Sequence, residues 1–207
     1  GDRRNSSEEP MEDEHDEAIS YFMGVESRRP TRVVSSIPTA HAGGCYTVAF
    51  CHSGTRLASA GADKCVRIWD PDSGTGLSRL EGMQGTVLEV DWTSDDKHLL
   101  AAGSDKVLRL WDSHTGRAKH VLTGHTDKVC TVKCSPADPH RAVSGSSDRS
   151  IKIWDLHRGH IAQTIICHST VNSVCMSIDG QIVISGHFDG ALRFWDLRGG
   201  SPINEVT

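Results

Sequence analysis

Serine, histidine and aspartate are the side chains of hydrolytic chemistry, and this 207-residue chain carries them as a recurring set. His41, Ser59 and Asp63 precede Trp69; His125, Ser144 and Asp148 precede Trp154; His168, Ser185 and Asp189 precede Trp195. A further copy keeps only Asp105 and Trp111, with Met83 at the histidine position and Ala101 at the serine position. A catalytic triad is a single constellation with an oxyanion hole beside it. Three copies of the set, with no G-x-S-x-G turn to raise a serine above a sheet, fit another use. An aspartate in a tight turn can accept from backbone N–H groups and an imidazole, the imidazole can link to a serine hydroxyl, and the serine to the indole. Each buried polar group is then satisfied, which makes its burial tolerable. These residues are therefore expected to be structural tetrads, with no catalytic, cofactor-binding or metal-binding residue. The repeat with Met83 and Ala101, lacking two members, is expected to be the softest.

The elements that position the set repeat with it. Val66-Arg67-Ile68-Trp69-Asp70, Leu108-Arg109-Leu110-Trp111-Asp112, Ile151-Lys152-Ile153-Trp154-Asp155 and Leu192-Arg193-Phe194-Trp195-Asp196 place their tryptophans 42, 43 and 41 residues apart. That spacing is the length of one propeller blade. Within the third repeat, 129–135, 141–144, 150–154 and 159–166 read as four short strands separated by Gly, Ser and Asp. Such a unit buries its faces only by stacking on neighbours. The expected fold is all-β, with four blades at about 41–81, 82–123, 124–166 and 167–207, and 203–206 as the outer strand of the last.

Composition excludes several classes. The balance of 22 basic and 27 acidic residues gives no basic footprint for nucleic acid. No apolar run approaches the length of a membrane-spanning helix. Seven scattered cysteines without a C-x-x-C pair read as reduced, buried small hydrophobes rather than zinc ligands. His157 and His160 read as solvated turn residues. Residues 1–31 are polar and acidic and are expected to form a disordered arm, with Met11, His15, Ala18 and Phe22 on one face of a short helix over 11–23. Val33-Val34 reads as a strand without a local partner.

The tetrads, the Gly124-His125 pair and the four Trp-Asp endings resemble the WD-repeat β-propellers over 32–207. The stretches Leu122 to Val129, Asp148 to Leu156 and Ser185 to Asp196, above all the Ser-Gly-His-Phe-Asp turn at 185–189, are similar to the C-terminal propeller of the autophagy-related protein 16 family. The resemblance implies a non-enzymatic, cytoplasmic scaffold of autophagosome assembly, recruited to the phagophore membrane only indirectly. It implies partnership with the autophagy-related protein 5 conjugate through a more N-terminal region, and with the ubiquitin-like autophagy modifier. It also implies a seven-bladed ring, of which four blades are a partial ring with a fragment's open ends; closure by pairing with another chain is the alternative.

Candidate partner-binding residues follow from position. His187 and Phe188 occupy the turn before Asp189, where a ring anchors a peptide unless Phe188 folds back on its own blade, the reading we expect. Asp127 and Lys128 read as a solvated charged turn. Phe22 and Val25, after the acidic run 12–17, resemble the short motif that adds a strand to the ubiquitin-like modifier. Trp195-Asp196-Leu197-Arg198 resembles the ending by which propellers dock as substrate receptors of cullin–RING ubiquitin ligases, unless Arg198 simply pairs with a neighbouring acid.

Overall fold

The computed structural model describes residues 36–198 and the backbone of 202–206. The chain divides into Gly1–Ser36 and Ile37–Thr207. The expected arm, the helix over 11–23, the Phe22 and Val25 motif and the Val33-Val34 strand lie outside the described residues.

The second unit is built from short strands in four antiparallel sheets, each a meander in chain order. The first sheet holds β1 (Cys45–Phe50), β2 (Leu57–Gly61), β3 (Val66–Trp69) and β4 (Gly76–Leu80). The second holds β5 (Val87–Trp92), β6 (His98–Gly103), β7 (Leu108–Asp112) and β8 (Ala118–Leu122). The third holds β9 (Val129–Cys134), β10 (Arg141–Ser146), β11 (Ser150–Asp155) and β12 (His160–Ile166). The fourth holds β13 (Val171–Met176), β14 (Ile182–His187), β15 (Leu192–Asp196) and β16 (Pro202–Val206).

Local chemistry fixes the turns. Between the second and third strands of three sheets the chain passes through a left-handed residue directly after an aspartate: Lys64 at φ 61°, Lys106 at 69° and Arg149 at 64°. Gly190, at φ 85°, takes that place after Asp189. The aspartate carboxylate accepts the N–H two residues on, from Ser150 to Asp148 at 2.9 Å and from Ala191 to Asp189 at 3.2 Å. That local bond holds a conformation most side chains avoid. In every sheet a register shift falls just before the tryptophan of the third strand, at Ile68/Trp69, Leu110/Trp111, Ile153/Trp154 and Phe194/Trp195. A bulge of this kind bends the strand and increases its twist.

The core lies between sheets. Val66, Ile68 and Leu80 of the first sheet meet Val87, Val90 and Trp92 of the second. Leu100, Leu108 and Leu110 meet Val129 and Val132 in the next layer, and Val143, Ile151 and Ile153 meet Val171, Val174 and Val183 in the last. Burying side chains of this size contributes roughly 1.5–3 kcal/mol each. The leading strand of each sheet packs beside the leading strand of the next, β1 on β5, β5 on β9 and β9 on β13. At the leading face of the first sheet the same register is open: Val48 is 64% and Phe50 61% exposed, whereas Val90 and Trp92 are 1% and 0%. Stacking, rather than any single sheet, therefore makes the core.

The cysteines depart in part from the sequence expectation. All seven are free, and Cys51, Cys65, Cys134 and Cys167 are buried, but Cys45 and Cys175 are exposed and Cys130 is half-buried. Cys45 and Cys175 lie on β1 and β13, the leading strands of the two outermost sheets among the described residues. Burial pushes the Cys167 thiol up to about 11 and raises that of Cys134, as expected for unreactive core thiols.

Candidate functional site: buried relays and the loops around them

In the third sheet His125 sits in the loop before β9, Ser144 on β10, Asp148 in the turn after it and Trp154 on β11. His125 Nδ1 lies 2.8 Å from Asp148 Oδ2, and its Nε2 lies 2.8 Å from Ser144 Oγ. Trp154 Nε1 donates to the same Oγ at 2.8 Å. An indole N–H can only donate. Ser144 therefore accepts from Trp154 and donates its own proton to Nε2, leaving Nδ1–H to bond the carboxylate. Burial lowers the His125 pKa against the opposing pull of Asp148, which keeps the ring neutral as this chain of donors requires. For Asp148 burial opposes ionisation, but hydrogen bonds from Ser150, the Thr126 N–H and His125 outweigh it and hold the carboxyl below its ordinary value.

The first sheet repeats the geometry, with His41 Nδ1 to Asp63 at 2.8 Å, Nε2 to Ser59 at 2.7 Å and Trp69 Nε1 to Ser59 at 2.7 Å. Asp63 also binds Arg67, whose other terminal nitrogen reaches the Ala40 carbonyl. Distances in both relays match those of a Ser-His-Asp triad. Ser59, Ser144 and Ser185 are nonetheless buried, and each hydroxyl also receives an indole N–H.

The fourth sheet corrects the sequence assignment. His168 is exposed, and the histidine against Ser185 is His187, with Nε2 2.7 Å from Oγ. Ser185 and His187 are two apart on β14 and so share a face. The reason is the preceding loop. His41 and His125 stand four residues before their leading strands, but His168 stands only three before β13. In the other sheets the position equivalent to His187 holds Gly61, Gly103 and Ser146, and a Cβ added at Gly103 would lie 2.5 Å from Met83 Cε. His187 thus fills from β14 the space that a loop residue fills elsewhere. Asp189 is engaged by Arg193, with Nη2 to Oδ2 at 2.9 Å.

The second sheet shows what loss of the histidine and serine does. Met83 and Ala101 are buried, and Trp111 Nε1 turns to the Glu81 carbonyl at 3.3 Å. Asp105 Oδ2 takes the Gln84 N–H at 2.8 Å, but its Oδ1 is buried without a partner, as is Arg109 Nε. In the first sheet the corresponding carboxylate receives His41 and Arg67. We expect Met83→His combined with Ala101→Ser to supply the missing donor and raise unfolding stability by about 1–2 kcal/mol. An unchanged or lower urea midpoint would reject this assignment of the pocket.

Sequence reasoning missed a second set of contacts, between leading strands. Thr47 Oγ1 accepts the Val90 N–H at 3.4 Å, Glu89 Oε2 that of Val132 at 2.8 Å, and Thr131 Oγ1 that of Val174 at 3.2 Å. The signal was present as polar residues 42 apart. Asp91 Oδ2 adds the Cys134 N–H at 2.8 Å, and Lys133 binds Glu89 at 2.7 Å. Burial raises the Asp91 carboxyl, against the Cys134 N–H and the Lys133 charge. A carboxyl whose folded pKa lies above its unfolded value favours folding at low pH, and that benefit is lost as pH rises from the unfolded value through the folded one. Asp91→Asn keeps an acceptor for Cys134. It is expected to raise the thermal midpoint at pH 7 and leave it unchanged near pH 3; the reverse pattern would reject the charge as the cause.

Among the remaining candidates, Phe188 is 81% exposed rather than folded on its sheet, because its backbone N–H bonds Thr170 O and aims the ring outward. His187 is buried behind it. Asp127, Lys128, His157 and His160 are exposed. Arg198 pairs with Asp196, Nη2 to Oδ2 at 2.6 Å, and this pairing holds the Asp196 carboxyl down at about 2. Among the described residues no helix is long and apolar enough to cross a membrane.

Four stacked four-stranded meanders, each with Trp-Asp at or just past the end of its third strand, define a WD-type propeller sheet. The chain belongs to the WD domain, G-beta repeat family, whose profile matches residues 32–70, 74–112, 116–155 and 159–196. It is 43% identical over 159 residues to autophagy-related protein 16 of Arabidopsis thaliana, covering 77% of this chain and 31% of that protein. It is 41% identical over 136 residues to protein tipD of Dictyostelium discoideum, covering 66% and 22%. The U5 small nuclear ribonucleoprotein 40 kDa protein of Dictyostelium discoideum matches at 34% over 140 residues, covering 66% and 39%. The chain thus spans less than two fifths of the length of each of these relatives.

Proposed function

We propose that this chain is the propeller segment of an autophagy-related protein 16-like scaffold, a non-enzymatic, cytoplasmic component of autophagosome assembly that reaches the phagophore membrane through protein partners. The observation that carries the reading is 43% identity over 159 residues to autophagy-related protein 16, against 34% to the U5 small nuclear ribonucleoprotein 40 kDa protein. Buried, indole-bonded serines in the first, third and fourth sheets support a structural role for the relays, and a binding rather than a catalytic role for the chain. Rigid strands presenting loops at their ends suit protein recognition, and the exposed Phe188 is an anchor on such a loop. Family likeness names the autophagy-related protein 5 conjugate and the ubiquitin-like autophagy modifier as partners.

Co-purification from cells expressing the full-length protein tests this reading. Recovery of the autophagy-related protein 5 conjugate is the expected result; recovery of a cullin–RING adaptor instead, lost on Arg198→Ala, would replace it with the ligase-receptor reading. Capture of the purified modifier is expected to weaken at least fivefold in a Phe22→Ala, Val25→Ala chain. Equal capture by both forms removes that motif.

A further inference from the structure

We propose that a cleft at one end of the third sheet binds a peptide segment carrying one carboxylate beside an aromatic side chain. The cleft encloses about 470 Å³ between the β9–β10 and β11–β12 turns. Its cationic groups are Arg141 and Arg158, and His140 and His157 line it together with the buried Trp154. The two imidazoles meet edge to face, with ring centroids 5.4 Å apart.

Arg141 is the informative residue. Its counterpart in the first sheet, Arg56, is three residues before the relay serine, as Arg141 is. Arg56 is fully committed: it donates to Ser113 O at 3.2 Å, Ser113 Oγ at 3.1 Å and Asp96 O at 2.8 Å, and lies over Trp92. It staples the first sheet to the second. The Arg141 guanidinium makes no such bond among the described residues, and Arg141 lines the cleft. Arg158 is held only loosely, 3.9 Å from Asp155.

Two carboxylates also line the cleft and set its selectivity. Asp138 accepts the His140 N–H at 2.9 Å, and Asp155 accepts the Arg158 N–H at 2.9 Å, so both are fixed in their turns. Their charges oppose a polyphosphate chain such as RNA. A single carboxylate can instead be gripped by two guanidinium forks. The exposed imidazoles of His140 and His157 each offer ring surface to a neighbouring aromatic side chain.

The test uses the 207-residue chain and a blocked peptide of sequence Gly-Trp-Glu-Gly, titrated while the imidazole resonances of His140 and His157 are followed by NMR. Both rings are expected to shift with the glutamate peptide, and at least tenfold more peptide is expected to be needed when glutamine replaces glutamate. Arg141→Gln and, separately, Arg158→Gln are expected to weaken binding about tenfold, and Arg117→Gln on the second sheet to leave it unchanged. Equal binding of the two peptides, or undiminished binding by both cleft variants, would overturn the proposal. Displacement by inorganic phosphate at the same concentration as the peptide would overturn it too, reducing the cleft to a simple anion site.

Discussion

Ser144→Ala is expected to lower the unfolding free energy by about 2–4 kcal/mol, read as a lower urea midpoint at constant slope. The oxygen removed is the centre of the third relay, shared at 2.8 Å by His125 and Trp154. Its loss leaves an indole N–H and an imidazole nitrogen buried without partners, and such orphaned groups cost about 1–3 kcal/mol each. The second sheet shows how the same loss is tolerated elsewhere. There Ala101 accompanies an apolar Met83, and Trp111 has moved its N–H to a backbone carbonyl. His125→Met placed on Ser144→Ala is therefore expected to recover part of the loss, giving a clearly non-additive cycle. Strict additivity would mean that the relay members act independently and would reject the shared-oxygen account.

Gly61→Ala is expected to cost about 3 kcal/mol, at the upper end of overpacking effects. A Cβ at this position would fall 1.8 Å from the Gly44 carbonyl oxygen and 2.8 Å from its carbon. The obstacle is backbone, which cannot swing aside as a side chain does. The same Gly44 oxygen accepts the Ala62 N–H at 2.9 Å, next to the register shift at Cys45/Thr47 that starts the first sheet. Moving it would undo that bulge. Gly54→Ala is the control: φ is +73° but nothing lies within 4 Å, so only the left-handed backbone is penalised, by about 1 kcal/mol. Equal effects of the two substitutions would reject the steric account.

The third relay also sets an acid limit. His125 is held below, and Asp148 below, their ordinary values in the fold. The unfolded chain therefore takes up protons first in both cases. Stability is expected to fall as pH drops through the unfolded histidine range toward the folded value, and again through the folded value of Asp148. His125→Met should remove the first loss while retaining the second. An unchanged profile between pH 7 and 5 in that variant would reject the histidine as its source.

The four Trp-Asp endings sufficed to show a meander of four strands per repeat, because alternating apolar residues and Asp-centred turns are local signals. The strands of the third repeat, the outer strand expected at 203–206 and found at Pro202–Val206, and the turn aspartates could be read that way. Residues 41 and 125 could be paired with their serines because each stands at a constant distance from its leading strand. His168 could not be judged so: the type matched, the loop was one residue shorter, and only the packed structure shows His187 entering from the neighbouring strand. The contacts between leading strands left only a trace in the sequence, polar residues 42 apart, since the acceptor and the N–H lie 43 residues apart and meet only when sheets stack.

Sequence by itself determined that this is a WD-repeat chain, how many repeats it carries and which of them lacks a histidine and a serine. Tertiary structure decided which histidine closes the fourth relay, that Phe188 faces solvent, and that Asp105 and Arg109 retain unpartnered buried atoms. The division has a physical cause. Strands and turns are set by neighbours within a few residues, whereas burial and hydrogen-bond satisfaction depend on which side chain reaches a shared space first.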